Sequence, residues 1–257
     1  MNLKLTLRYW PAILLPAFAT AVSAQKLPSV QKEAVYAPVI KTDGKANEWN
    51  NKFSAHNNAT GLFYTLANDD ENLYLLMRTD QYSSIKKAFY GGITLSIKSA
   101  DKKQEAKITY PLVAMTEHTE IVLPLRDKEA RTDSLLPIVN EWIGKAAKKI
   151  AIAGLAGITD PDISVYNDLG IKAAALIDAN RDATFEIQIP LKYIRHLMAG
   201  GSSFDYVITV NGAQLKPNTI LIGGSNIDGN SHAPSAEPVN DIFTPTYLKG
   251  SYTLAKK

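Results

Sequence analysis

Ile40-Lys41-Thr42-Asp43-Gly44-Lys45-Ala46-Asn47-Glu48-Trp49 and, after a polar gap, Gly61-Leu62-Phe63-Tyr64-Thr65-Leu66-Ala67-Asn68-Asp69-Asp70-Glu71-Asn72-Leu73-Tyr74-Leu75-Leu76-Met77-Arg78-Thr79-Asp80 form the stretch that decides the fold. Asp43-Gly44 is a turn signal, because glycine accepts positive φ at little steric cost. It follows a short strand expected over Tyr36 to Lys41, and a helical turn is expected over Ala46 to Trp49. Residues 61–67 and 72–79 are rich in aromatic and aliphatic side chains and flank Asn68-Asp69-Asp70-Glu71, a polar loop of hairpin length. In the second of these strands Leu73, Leu75 and Met77 alternate with Tyr74, Leu76 and Arg78. Both faces are apolar until the end, which places this strand inside a sheet rather than at an edge.

Reading outward, residues 92–99 alternate cleanly, with Ile93, Leu95 and Ile97 on one side and Thr94, Ser96 and Lys98 on the other. A charged turn over 100–104 leads to a strand over Glu105 to Tyr110, which Pro111 is expected to end. Glu120 to Leu125 reads as another strand. Ser134 to Lys149 departs from this pattern: Leu135, Ile138, Val139, Trp142, Ile143 and Ala146 recur at helical spacing. Ile150 to Ile158 is rich in Gly and Ala and fits either element. Strands resume over 171–177 and 184–189 around the polar loop Asp178-Ala179-Asn180-Arg181-Asp182. Leu191 to Met198 reads as a short helix closed by Gly200-Gly201. Strands follow over 204–211 and 247–254, separated by a Gly-, Ser-, Asn- and Pro-rich loop at 223–237. Many short strands with turns between them and few helices favour a mainly all-β, antiparallel β-sandwich of jelly-roll-like type, with one inserted amphipathic helix. Residues 36–257 read as one domain, preceded by a leader or linker at 25–35.

The N-terminus reads as an export signal, residues 1–24. Lys4 and Arg8 form a short basic region, Tyr9 to Phe18 is mostly apolar, and Val22-Ser23-Ala24 places small residues before Gln25. The apolar run is shorter than the roughly 20 residues of a spanning helix; an uncleaved amphipathic anchor is the alternative. No cysteine follows it, so a lipid-modified cysteine is excluded. The expected location is the periplasm, the outer surface or the medium, with no transmembrane segment in the mature chain. The chain contains no cysteine at all, which excludes a disulfide framework, thiol catalysis, cysteine-ligated zinc and iron–sulfur clusters. Net charge is +3, with basic and acidic residues interleaved. That pattern lacks the basic stripe of a nucleic-acid-binding surface and the polybasic patch of a membrane-surface protein.

Three motifs carry a family resemblance. Ile40 to Gly44 followed by Glu48-Trp49 resembles the opening signature of carbohydrate-binding-module family 9-like (DOMON-like) domains. Asn68 to Leu75 is similar to that family's acidic strand entry, and Phe185-Glu186-Ile187-Gln188-Ile189-Pro190-Leu191 to its later strand and turn. The resemblance runs from about Tyr36 to the C-terminus, with an atypical middle between about Glu117 and Asp168. It implies a sandwich of two antiparallel sheets, in which sugar-binding members hold a terminal sugar with aromatic side chains and support loops with calcium.

The ligand-binding candidates follow from that chemistry, since an aromatic face stacks on the C–H face of a sugar and neighbouring polar groups bond its hydroxyls. They are Tyr82 and Tyr90, in segments that read as loops near Lys86 and Lys87, Tyr166 among Asp162, Asn167 and Asp168, and Trp49 and Trp142. Core packing is the competing role for both tryptophans: Trp49 belongs to the fold signature, and Trp142 lies on the apolar face of the expected helix. Asp69, Asp70 and Glu71 are the candidate oxygen ligands for calcium, although their spacing is not that of an EF-hand, and a solvated turn is the competing reading. The four histidines, His56, His118, His196 and His232, show no paired metal-ligand spacing. His196 and Met198 are close enough to raise the alternative of a haem- or small-ligand-binding relative of the same sandwich. No nucleophile elbow, phosphate-binding glycine loop or dinucleotide fingerprint is present. The expectation is an exported, non-catalytic binding domain with carbohydrate as its ligand. The alternatives are an envelope structural or protein-interaction domain, and the haem or small-ligand relative.

Overall fold

The computed structural model describes residues 26–37, 40–114, 116–126, 132–198, 200–214 and 241–257. The expected signal segment lies outside the described residues, as do the 223–237 loop and His232. Two antiparallel sheets face each other. The first contains β1 (Ala55–Asn57), β2 (Leu62–Asn68), β3 (Asn72–Thr79), β8 (Lys172–Ile177) and β9 (Ala183–Pro190) in the order β1-β2-β3-β9-β8. The second contains β4 (Ile93–Lys98), β5 (Glu105–Leu112), β6 (Lys149–Ala153), β7 (Asp162–Ser164), β10 (Ser203–Val210) and β11 (Thr246–Thr253) in the order β11-β10-β4-β5-β6-β7. The fold is therefore the all-β sandwich expected from the strand pattern.

Alternation along each strand builds the core. Leu62, Tyr64 and Leu66 of β2 point inward beside Leu73, Leu75 and Met77 of β3 and Phe185, Ile187 and Ile189 of β9. They meet Ile93, Leu95 and Ile97 of β4 and Phe204, Tyr206, Ile208 and Val210 of β10 from the second sheet. Two buried hydroxyls, Tyr64 Oη and Tyr206 Oη, are 3.1 Å apart across the layers. That pairing satisfies polar atoms that burial would otherwise penalise.

β3 is the middle strand of the first sheet, and its outward face explains its second apolar row. Tyr74 and Leu76 pack with Ala67 against Ala37, Ala46 and Trp49, with Val35, Ile40 and Phe53 at the margin. The segment around Asp43-Gly44 and Trp49 thus lies as a strap over the outside of the first sheet, making a second small core. Its fastening is Glu186 on β9, only 2% exposed. One carboxylate oxygen accepts the backbone N–H of Asp43 (2.9 Å) and of Gly44 (2.7 Å), and the other accepts the Trp49 indole N–H (2.9 Å). Gly44 has φ of +81°, and a Cβ there would sit 2.9 Å from Leu176 Cβ. The left-handed turn and the close approach to β8 both require glycine.

Several expected boundaries differ. The leader expected at 25–35 is packed from Pro28 onward: the Pro28 carbonyl accepts His56 N–H, and Gln31 bonds the N–H and C=O of Leu66 through its side-chain amide. Gln31 continues the β2 ladder where the three-residue β1 stops, so these residues belong to the sandwich. Tyr36 makes a single parallel bridge to Asn68 in place of a strand. Three α-helices occur among the described residues, two of them, α1 and α2, where no helix is expected. α1 (Tyr82–Gly91) buries Ile85, Ala88 and Phe89 at helical spacing and ends where Gly92, at φ +77°, donates its N–H to Ala88. The expected strand at 120–125 is α2 (His118–Val122) with a following 3-10 turn over Leu123–Leu125. Ile121, Val122 and Leu125 are buried at i, i+1 and i+4, a helical set in a run too short for its period to stand out. The amphipathic helix is α3 (Thr132–Ala146), three residues shorter at its end than expected, and Lys149 begins β6 (Lys149–Ala153). Leu191–Tyr193 and Arg195–Met198 are two 3-10 turns in place of one short helix. No helix among the described residues is long and apolar enough to cross a membrane.

Candidate functional site

A groove of about 430 Å³ opens at one end of the first sheet, lined by Asp80, Tyr82, Ile85, Leu125, Asn180, Arg181 and Asp182 among others. β3 and β9 pair there through Thr79 and Ala183, so the chain leaving β3 (Asp80, then α1) faces the loop that joins β8 to β9. Asp178 shapes that loop. Its side chain accepts the N–H of Asn180 (2.9 Å) and of Asp182 (3.0 Å), and its carbonyl accepts that of Arg181 (2.9 Å), which adopts φ of +66°. Such side-chain-to-backbone bonds are how aspartate organises a tight turn. The outcome is a loop whose Asn180, Arg181 and Asp182 line the same groove as Tyr82.

The electrostatics of the groove are mixed. Burial, then the neighbouring Asp178 and Asp80 carboxylates, push the Asp182 carboxyl above its ordinary range, with Arg78 opposing. Arg78 is held by Thr184 Oγ1 (3.1 Å) and Asn51 Oδ1 (3.3 Å) and lies 3.9 Å from Asp178. Lys86 Nζ stands 5.1 Å from the centre of the Tyr82 ring. One aromatic face, carboxylate and amide acceptors, and guanidinium and amide donors thus border one recess. These groups match the alternating donors and acceptors of a polyhydroxylated ring.

The aromatic candidates from the sequence do not line one cavity. Tyr82 borders this groove, whereas Tyr90, at the other end of α1, borders a different one with Pro111 and His118. Trp49 is buried beneath the strap with its indole N–H bonded to Glu186. Trp142 packs on the main core with Lys145 Nζ 5.4 Å from its ring centre. Tyr166 is 76% exposed in the turn after β7, where the Asn167 side chain donates to the Ser164 and Ile171 carbonyls and Asp162 pairs with Lys149 at 3.0 Å. His196 is exposed while Met198 is buried in the core, so they do not form a ligand pair.

Asp69, Asp70 and Glu71 have defined roles in the β2–β3 hairpin. Asp69 Oδ1 accepts the N–H of Glu71 (2.8 Å) and Asn72 (2.6 Å), and Oδ2 accepts the Tyr74 hydroxyl (2.6 Å). Burial raises the Asp69 carboxyl, but these hydrogen bonds outweigh it and hold the group below its ordinary value. Asp70 accepts the Tyr36 hydroxyl at 3.1 Å, and the Glu71 carbonyl accepts the Leu191 N–H at 2.7 Å. Among the described residues, no group of three His, Asp or Glu side chains is placed to hold a metal ion. Asp69, Asp70 and Glu71, the candidate calcium ligands, are not part of such a group.

Of the groove's polar residues, Asp80, Asn180, Arg181 and Asp182 were not singled out from the sequence. Their only signal was the polar hairpin loop, and nothing in chain order places Asp80 opposite it. An antiparallel sandwich with a strapped outer face is the class that the geometry defines. Comparison with protein-family models, curated proteins and solved structures finds no match to this chain.

Proposed function

We propose that this chain is an exported, non-catalytic binding domain of the carbohydrate-binding-module family 9-like type, and that the groove at the Asp178–Asp182 loop is its carbohydrate site. The observation that carries this reading is that Tyr82 lines one groove of about 430 Å³ together with Asp80, Asn180, Arg181 and Asp182. Recognition uses ring stacking on Tyr82 and hydrogen bonds from the loop to sugar hydroxyls. The sequence motifs support the family assignment because all three converge on one physical unit: the strap, the strand it covers and the carboxylate of Glu186 that fastens it. A glycan array followed by calorimetry on the hits, with and without calcium, tests the reading. Binding of a defined glycan that Tyr82→Ala weakens at least ten-fold is the expected result. No binding across the array overturns it.

A second reading, an envelope interaction domain, rests on Leu123 and Ile138. They are 56% and 51% exposed on the helical insertion between β5 and β6. Under this reading a protein partner covers them. Leu123→Asp with Ile138→Asp then abolishes co-purification of that partner from the envelope while leaving the melting temperature unchanged.

A further inference from the structure

Strand β11 (Thr246–Thr253) ends the second sheet and pairs with β10 alone. Among the described residues it is the longest edge of the sandwich. β1 and β7 have three residues each, and the end of β8 is covered by the Asn140 amide, which bonds the N–H (2.9 Å) and C=O (2.8 Å) of Ile177. One bond just past β11 fixes which way its backbone groups point. Leu254 donates its N–H to the Ser202 carbonyl (2.8 Å), in register with the neighbouring Thr253–Ser203 pair. Hydrogen-bonded and non-hydrogen-bonded pairs alternate along an antiparallel ladder. Thr246, Leu248, Gly250 and Tyr252 therefore turn their N–H and C=O toward β10, and Tyr247, Lys249, Ser251 and Thr253 turn theirs away from the sheet. The β10–β4 ladder has the matching phase, since Asn211 donates its N–H to the Gly92 carbonyl (3.0 Å). The same four residues of β11 carry exposed side chains, and their backbone groups find no partner among the described residues.

We propose that β11 pairs antiparallel with β11 of a second copy of this chain, across a two-fold axis at Gly250, so that two six-stranded sheets become one. In this register Lys249 faces Ser251 of the second copy and Tyr247 faces its Thr253. Every outward N–H then meets an outward C=O. Neighbouring registers fail. An axis at Lys249 sets two lysines directly opposite each other and puts Thr253 against Pro245, which has no N–H. An axis at Ser251 puts Tyr247 against Ala255, whose N–H and C=O are already bonded to the Asn68 side chain. At Gly250 the two copies meet in a non-hydrogen-bonded pair, where strands approach most closely. Glycine leaves that point clear, and a Cβ there would collide with the Tyr206 hydroxyl. Charge is complementary in the same register. Ser251 Oγ donates to Asp205 on β10 (2.6 Å), so Lys249 of the second copy, opposite Ser251, lies one strand from Asp205 on the same outer face. The two lysines stand diagonally across the axis, and each has a carboxylate to offset it. Lysine on an edge strand commonly opposes pairing; here it selects one register.

Sedimentation velocity of the full chain at rising concentration is expected to show reversible exchange between monomer and dimer. Amide hydrogen exchange reads the geometry. The N–H groups of Tyr247, Lys249, Ser251 and Thr253 are expected to exchange fast in the monomer and slowly in the dimer, while those of Leu248, Gly250 and Tyr252 stay protected in both. Ser251→Pro removes an N–H that β10 does not use, and proline is tolerated on an edge strand in that orientation. It is expected to weaken dimerisation at least about ten-fold while keeping the circular dichroism of the wild type. Lys249→Glu weakens dimerisation as well, and adding Asp205→Lys to it restores the dimer. A chain that stays monomeric overturns the proposal, as does a dimer in which the four outward amides still exchange fast. Protection of those amides in the monomer also overturns it, since the edge is then covered by its own chain. These readouts on the wild type stand even where Ser251→Pro does not fold.

Discussion

Trp49 and Glu186 are joined by a 2.9 Å hydrogen bond from the indole N–H to the carboxylate, although 137 positions separate them in the chain. The other oxygen of the same carboxylate accepts Asp43 and Gly44 N–H. Three donors therefore converge on one group that can only accept while it is ionised. Glu186→Gln turns an N–H₂ toward those donors and leaves at least one of them unpaired in a buried site. The expected cost is about 3 kcal/mol of unfolding free energy, measured by urea denaturation. Trp49→Phe keeps the ring and loses the N–H, and is expected to cost about half of that. Equal stability of Glu186→Gln and wild type would show that the strap is held by apolar packing alone.

The same carboxylate has a definite pH signature. Burial raises its pKa above the ordinary value and the three N–H donors pull it back only partly. A carboxyl whose folded pKa lies above its unfolded pKa, about 4.3 for glutamate, binds more protons when folded over the interval between the two. Its contribution to stability is then fully present below about pH 4.3 and is lost as pH rises through the folded pKa. Melting temperature against pH should show this decline in the wild type. The wild-type-minus-Glu186→Gln difference should isolate it.

Asp69 predicts the opposite sign. Its folded pKa lies below the unfolded value, because the bonds from Tyr74, Glu71 and Asn72 outweigh burial. Its stabilising contribution is present above about pH 3.9 and is lost as pH falls through the folded pKa. Asp69→Asn should melt at a lower temperature at neutral pH. It should also lose less stability than the wild type between neutral pH and the acid limb. A parallel acid limb in the two proteins would remove Asp69 from the account.

Asn68 joins the chain's end to the first sheet. Its Oδ1 accepts the Tyr252 hydroxyl (3.0 Å) and the Ala255 N–H (2.7 Å), and its Nδ2 donates to the Ala255 carbonyl (3.1 Å). Burial lifts the Tyr252 hydroxyl to about 12, so that group stays protonated as a donor. Asn68→Leu should cost about 2–4 kcal/mol and should raise amide exchange near Ala255. Unchanged exchange there would mean that β11 pairing with β10 suffices to hold the terminus.

At the groove, Tyr82→Ala should weaken glycan binding at least ten-fold, and Tyr166→Ala should leave it unchanged. Both are aromatic loop candidates by sequence, but only Tyr82 borders a recess with polar partners. Equal loss from both variants, measured by calorimetry, would place the sugar elsewhere.

The β2–β3 hairpin is legible because its two strands meet through the three-residue turn Asp69-Asp70-Glu71 and their pairing is local; β3 occupies the residues expected. α1 and α2 are not legible, because such short helices carry only two or three buried apolar positions each, Ile85, Ala88 and Phe89 in α1 and Ile121 and Val122 in α2. The packing of residues 28–35 is not legible, because their polarity is used for pairing: Gln31 is polar in the sequence and is buried as a ladder partner of Leu66.

The sequence by itself determined the strand alternation, the turn at Asp43-Gly44 and hence a sandwich, since side-chain period and glycine conformation are properties of neighbouring residues. Tertiary structure alone decided what the motif residues do. Trp49 and the Asp69 carboxylate are consumed in fastening the strap and the hairpin, and Asp80 and Tyr82 meet the Asp178–Asp182 loop about a hundred residues further along the chain. Those assignments depend on which strands lie side by side, and β3 pairs with β9 only because the long-range burial of both inner faces selects that order.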